Sequence, residues 1–255
     1  MMKQVSILTT HNCSVTAVAM LCMYLAFAGD AIQDSPNKSA KASVRITNFH
    51  LRADMLLILD SCAVASNEWK EVVDGLKPRF IQENTSLQPT EIMQTIKILE
   101  YYRKICEKKF SNSVRVECLL IALGESTAIT NAVRNIAGGG VAFFNRSRSD
   151  LVRSEQPKVI IALGELLFRD DGVTPKLMGD EFLVYPLSIE TAQIIIEILS
   201  SSEQFPPSVK DWARKETGGA DLPKRRELVR RWWTQNKTAL QEERFGDTHP
   251  PQSEK

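Results

Sequence analysis

Apolar residues recur along most of this chain at steps of three and four, the spacing that gives an α-helix one buried face. Residues 49–65 (FHLRADMLLILDSCAVA) keep that spacing, and a second amphipathic stretch starts at Asn67. It is expected to stop before Pro78, because a proline inside a helix removes one hydrogen bond and crowds the preceding turn. The two stretches predict a helical hairpin. Pro89 suits a first helical turn and Glu91 suits the positive end of the helix dipole, so the next helix is expected to run to about Phe110. Its apolar stripe is Ile92, Ile96, Leu99, Tyr102 and Cys106, and Arg103, Lys104, Lys108 and Lys109 gather near its C-terminal end. Later stretches follow the same logic. Ser126 is placed to cap 126–136, with Ile129, Val133 and Ile136 on one face, and Ser188 to cap 189–199. Pro206-Pro207 breaks the chain, and Leu222-Pro223 introduces a last helix over 224–240. Turn signals at the 8–12-residue spacing of a sandwich or barrel are missing, so the predicted class is all-α.

One pattern is internal. Leu119-Leu120-Ile121-Ala122-Leu123-Gly124-Glu125 returns forty positions later as Val159-Ile160-Ile161-Ala162-Leu163-Gly164-Glu165, with IALGE unchanged. A period near 40 matches helical repeats of about 40 to 47 residues. In each copy an apolar helix is expected to close on Ala and Leu, with Gly supplying a left-handed turn. After the second copy, Asp171-Gly172 signals a turn within a few residues, so the repeat is degraded there.

With Val114-Arg115 ahead of the first junction, the stretch 113–168 resembles the HEAT-like repeat family, in which Val-Arg-rich helices lead into an Ala-Leu-Gly junction. The second copy departs from that pattern, with Gln156-Pro157-Lys158 where Val-Arg would stand. The resemblance implies an α-α superhelix, a short solenoid of helix pairs over 44–245, and a role in binding proteins on an extended surface. Some members of that family instead assist cofactor attachment or process damaged DNA.

The N-terminus reads as an address. Lys3 precedes an uncharged run, and 14–28 (SVTAVAMLCMYLAFA) has the length of a signal-peptide core and is short for a spanning helix. Ala26-Phe27-Ala28 and Gly29-Asp30-Ala31 offer small-x-small cleavage sites, giving a mature chain from Gly29 or Ile32. We therefore expect a signal peptide over 1–28, a polar linker over 29–43, and an exported, periplasmic or extracellular protein. The tail 246–255 (GDTHPPQSEK) offers no core-forming residue and is expected to be disordered.

Composition narrows the function less than the fold. With 32 Lys and Arg against 31 Asp and Glu, no global field draws the chain to nucleic acid or to an anionic membrane. Three cysteines remain after the signal, Cys62, Cys106 and Cys118, each among apolar neighbours and read as small buried hydrophobes. His50 is the one histidine within the predicted folded body, no GxSxG elbow accompanies it, and no ligand pair has zinc spacing. Gly138-Gly139-Gly140 lacks the Lys-Ser/Thr of a P-loop and reads as an inter-helix loop. Asp170, Asp171, Asp180 and Glu181 lack the alternation of a calcium loop. No catalytic residue, cofactor or metal is therefore assigned.

The candidate contact residues are Arg226, Arg230 and Trp233, in the basic, Trp-bearing last helix, because Arg and Trp dominate binding hot spots. The same helix can bury Leu228, Val229, Trp232 and Asn236 as a stripe, with Glu227 four residues before Arg231 as an ion-pair partner. The leading function is a protein-binding adaptor or scaffold, its partner another protein or a cell-envelope component. The alternatives are a carboxylate-based hydrolase or lyase using Glu125, Glu165 and Asp170, or a nucleic-acid-binding repeat protein.

Overall fold

The computed structural model describes residues 43–83, 86–106, 110–138, 140–170, 173–178, 181–215, 217 and 220–251. The periodic stretches become α1 (Phe49–Ala65), α2 (Asn67–Ile81), α3 (Pro89–Cys106), α4 (Phe110–Ala122), α5 (Ser126–Gly138), α6 (Val141–Arg153), α7 (Lys158–Leu163), α8 (Leu187–Ser201), α9 (Pro207–Lys215) and α10 (Leu222–Gln241). The chain is mostly helical, as the periodicity predicts. Among the described residues no single helix is long and apolar enough to cross a membrane. The expected signal peptide and most of the linker lie outside the described residues.

Local chemistry sets the ends of the first hairpin. The Asn48 side-chain oxygen accepts from the backbone N–H of His50 and Leu51 at 3.0 and 3.3 Å, starting α1. Leu51, Met55, Ile58, Leu59 and Cys62 form its buried face. Just ahead of it, Val44 is buried and exchanges backbone hydrogen bonds with Leu87. Ser66 both ends α1 and caps α2. Contrary to expectation, α2 does not stop before Pro78. One forfeited backbone bond is outweighed by burial of Val73, Leu76 and Phe80, and Arg79 Nε donates to Glu91 Oε1 of α3 at 2.7 Å.

The helix expected to run to about Phe110 is described as far as Cys106, and its expected last turn, residues 107–109, lies outside the described residues. The buried stripe of α3 is Thr95, Ile98, Leu99 and Tyr102, with Ile92 and Ile96 only half-buried. A threonine is tolerated there because its hydroxyl donates to the Glu91 carbonyl at 2.7 Å.

The two IALGE copies adopt different backbones. Gly124 follows α4 with φ +76°, the left-handed turn expected of it. Gly164 has φ −55°, and the chain runs on into a 3₁₀ turn, Leu166–Phe168. Its lack of a side chain serves packing instead, since a Cβ there would sit 2.5 Å from Cζ2 of Trp233. Gln156, at the point where the second copy departs from the family pattern, is buried and donates from Nε2 to the Ala122 carbonyl at 2.9 Å. That bond ties the second copy to the end of the first. Glu125, rather than Ser126, caps α5, its carboxylate accepting from the N–H of Thr127 at 2.9 Å and of Ala128 at 2.5 Å.

The mostly helical chain, consistent with the all-α expectation, carries one short hairpin that the periodicity did not predict. Strands β1 (Val173–Met178) and β2 (Glu181–Pro186) pair antiparallel, with Val173 opposite Pro186 and Met178 opposite Glu181. Gly179-Asp180 between β-favouring runs such as Phe182-Leu183-Val184-Tyr185 is a hairpin signal that helical periodicity overshadowed. Pro186 then takes the position before α8, so Ser188 is inside the helix rather than its cap.

Buried Leu187, Ile189, Ala192, Ile194, Ile195, Ile198 and Leu199 of α8 meet α6, α7, α9 and α10. On α10, Asp221 caps the helix, and Val229, Trp232 and Asn236 are buried as expected, with Leu228 half-buried. The Trp232 ring stacks on Trp212 with centroids 6.2 Å apart. The tail beyond Phe245 is not disordered over the part described. Asn236 donates to the His249 carbonyl at 3.0 Å and accepts from its N–H at 2.9 Å, and Thr248 is buried. One buried amide side chain thus supplies the hold that the tail's own composition lacks.

Candidate functional site

The three residues singled out on α10 come together, but around the chain's own 3₁₀ turn. Arg226 Nη1 and Arg230 Nη2 donate to Asp170 Oδ1 at 3.0 and 2.8 Å, and the Ser188 hydroxyl donates to the same oxygen at 2.6 Å. Arg230 also donates from Nε to the Leu167 carbonyl at 2.9 Å and lies over the Phe168 ring. Trp233 meets Phe168 edge-on at 5.7 Å, covers Gly164, and takes the Lys237 ammonium over its own face. The Ser188 hydroxyl first, then the Arg230 guanidinium, holds the Asp170 carboxyl below its ordinary range. Glu227 lies 3.8 Å from Arg230. These side chains anchor Leu166–Phe168 and the segment after it to α10 and direct their donors inward.

A second place has the features of a binding site and was not legible as one. Helices α4, α5 and α6 enclose a cleft of about 240 Å³. Ile121, Ala128 and Ala132 give it apolar walls, and Phe143, 62% exposed, stands at its rim. Its polar lining is Glu117, Asn131, Asn135, Arg146, Ser147 and Asp150. Each side chain is placed by ordinary helix geometry. Phe144, Ser147, Asp150 and Leu151 share the buried stripe of α6, so two polar residues occupy positions that helices normally give to aliphatic ones.

Ser147 is satisfied there, because Asn135 of α5 donates to its hydroxyl at 3.1 Å. Asp150 is not satisfied in the same way. It is only 5% exposed, yet among the described residues its carboxylate accepts no hydrogen bond. Its backbone carbonyl accepts from the Cys118 thiol at 3.6 Å. Burial pushes the Asp150 carboxyl up to about 6 while Arg146 and Arg153 pull it down. Glu117, the other acid at the cleft, forms an ion pair with Arg103. Burial, then the Asp150 charge, raises the Cys118 thiol to about 12, which disfavours its thiolate form.

A helical wheel of VAFFNRSRSDLVR would have exposed the anomaly, since a carboxylate three residues from Ser147 and one from Leu151 falls on the apolar side. The flanking arginines disguised it as a solvated charge run. Elsewhere, His50 is exposed at the start of α1, and the buried Cys62 thiol donates to the Ile98 carbonyl at 3.9 Å. Cys106 lies where side chains are not described. Among the described residues no group of three or more His, Cys, Asp and Glu side chains is arranged to hold a metal ion. Of the acids considered for catalysis, Glu125 caps α5, Asp170 is paired with arginines, and Glu165 is exposed. No protein-family model, curated protein or solved structure matches the chain.

Proposed function

We propose that this chain is an exported helical-repeat module that binds another protein, with the cleft between α4, α5 and α6 as its contact surface. The observation that carries the reading is a rim aromatic left in solvent above a floor carboxylate that is buried without a hydrogen bond. An exposed aromatic beside a small, partly apolar pocket with few polar groups is the make-up of an interface anchor point. The packing order supports the repeat part of the reading. α1 packs on α2 and α3, α4 on α5 and α6, and α6 on α8, the neighbour and next-neighbour pattern that a stack of helix pairs needs. The apolar run over 14–28 supports export.

The hydrolase reading is weaker, because two-carboxylate catalysis needs a second free acid across the reacting bond and Glu117 is paired with Arg103. The nucleic-acid reading is weakened because Arg226 and Arg230 share the Asp170 carboxylate, which offsets one of their two charges. Expression with the native N-terminus is expected to give an exported product whose intact mass begins at Gly29 or Ile32. An uncleaved cytoplasmic product would overturn export. The mature form is expected to retain one protein in stoichiometric amount, and Phe143→Asp to release it without a change in Tm. Equal retention by the variant would remove the cleft from the account.

A further inference from the structure

The Asp150 carboxylate lies at the floor of the cleft, 5% exposed, and among the described residues it takes part in no hydrogen bond and no ion pair within 4 Å. Its oxygens are not among the fully buried polar atoms that lack a partner, so they face the open cleft, where a ligand's donors can replace solvent. Two nearby donors are committed elsewhere. Asn135 gives its amide N–H to Ser147, and the Arg103 guanidinium goes to Glu117. The charges of Arg146 and Arg153 pull the Asp150 carboxyl down against the effect of burial.

The rest of the lining limits what a donor can be attached to. Ile121, Ala128 and Ala132 demand an apolar stem, the volume of about 240 Å³ admits one side chain rather than a folded segment, and Phe143 lines the cleft while 62% exposed. A long aliphatic stem ending in a cation is the chemistry of lysine and arginine.

Resting on the protein-binding reading, we propose that the cleft seats the ammonium or guanidinium group of a basic side chain carried by the protein partner, with Asp150 as its counter-ion. Seating is non-covalent and transfers no group. Because burial holds the Asp150 carboxyl near 6, seating is coupled to its ionisation, and the cation gains most where the carboxylate is fully charged.

The test uses the full chain and N-acetyl-lysine methylamide as probe, followed by backbone amide shifts in NMR, with N-acetyl-norleucine methylamide as the neutral counterpart. The lysine probe is expected to move resonances of 117–121, 128–135 and 143–150 with a Kd on the order of millimolar, as suits one side chain. Apparent affinity should fall about tenfold from pH 7.5 to pH 5, following the ionised fraction of a group titrating near 6. Asp150→Asn should abolish the response, and Glu165→Gln, at an exposed carboxylate outside the cleft, should keep it. Equal shifts from the norleucine probe, or an undiminished response in Asp150→Asn, would overturn the proposal. A protein partner that is lost with Phe143→Asp but retained with Asp150→Asn would also overturn it, while leaving the protein-binding reading intact.

Discussion

Asp150 sits in a run, RSRSDLVR, whose charges look made for water, yet its helix turns it inward. Its carboxyl is raised from 3.8 to about 6 by burial, so the folded protein binds its proton more tightly than the unfolded chain does. Folding stability from this group is therefore fully present below about pH 4 and is lost as pH rises through 6. Asp150→Asn, which stays neutral, is expected to be more stable than the wild type at pH 8 by on the order of 1 kcal/mol, after allowance for solvent at the cleft mouth. Below pH 4 the two should converge. Denaturant titrations at pH 3.5 and pH 8 measure this, and a pH-independent difference would contradict it.

The two junction glycines separate by cause. Gly124→Ala is expected to cost about 1 kcal/mol through its left-handed backbone whatever stands at position 233. Gly164→Ala is expected to cost about 1 to 3 kcal/mol through collision with Trp233, and to be largely relieved in a Trp233→Leu background. A double-mutant cycle distinguishes the two. The identical letters IALGE disclosed a shared period and concealed these separate reasons, because a sequence records that a side chain is missing but not what fills the space.

At the scale of elements, apolar spacing located α1 residue for residue, and placed α5 and the buried stripe of α10 nearly as well. What it missed depended on partners far along the chain. Pro78 stays inside α2 because Phe80 is buried and Arg79 reaches Glu91, and the tail is held because Asn236 binds His249. The candidate cleft needs three helices at once, so only its anomalous acid could have been read in advance.

Charged contacts between elements carry a comparable weight. Arg148 of α6 donates from Nε to Glu190 of α8 at 2.5 Å and from Nη2 to Glu197, and Glu190 is 2% exposed. Burial opposes the Arg148 charge, but the two carboxylates that accept its hydrogen bonds hold it above its ordinary range. Arg148→Met removes the guanidinium that neutralises Glu190 and is expected to cost about 3 to 5 kcal/mol, most of it recovered in Arg148→Met/Glu190→Met. Chemical denaturation of the two variants checks this. A double variant as unstable as the single one would mean that Arg148 acts by packing alone.

For the whole molecule, near-zero net charge favours recognition by local shape and charge, and the proposed contact surface is the cleft that holds Asp150. The measurement that tests this most directly is photo-crosslinking in the source cell, with a photoreactive residue at Phe143 in one variant and at exposed Lys224 in another. The account predicts a single protein adduct from position 143, absent from 224 and lost on Asp150→Asn. Adducts of equal yield at both positions, or none at 143, would contradict it.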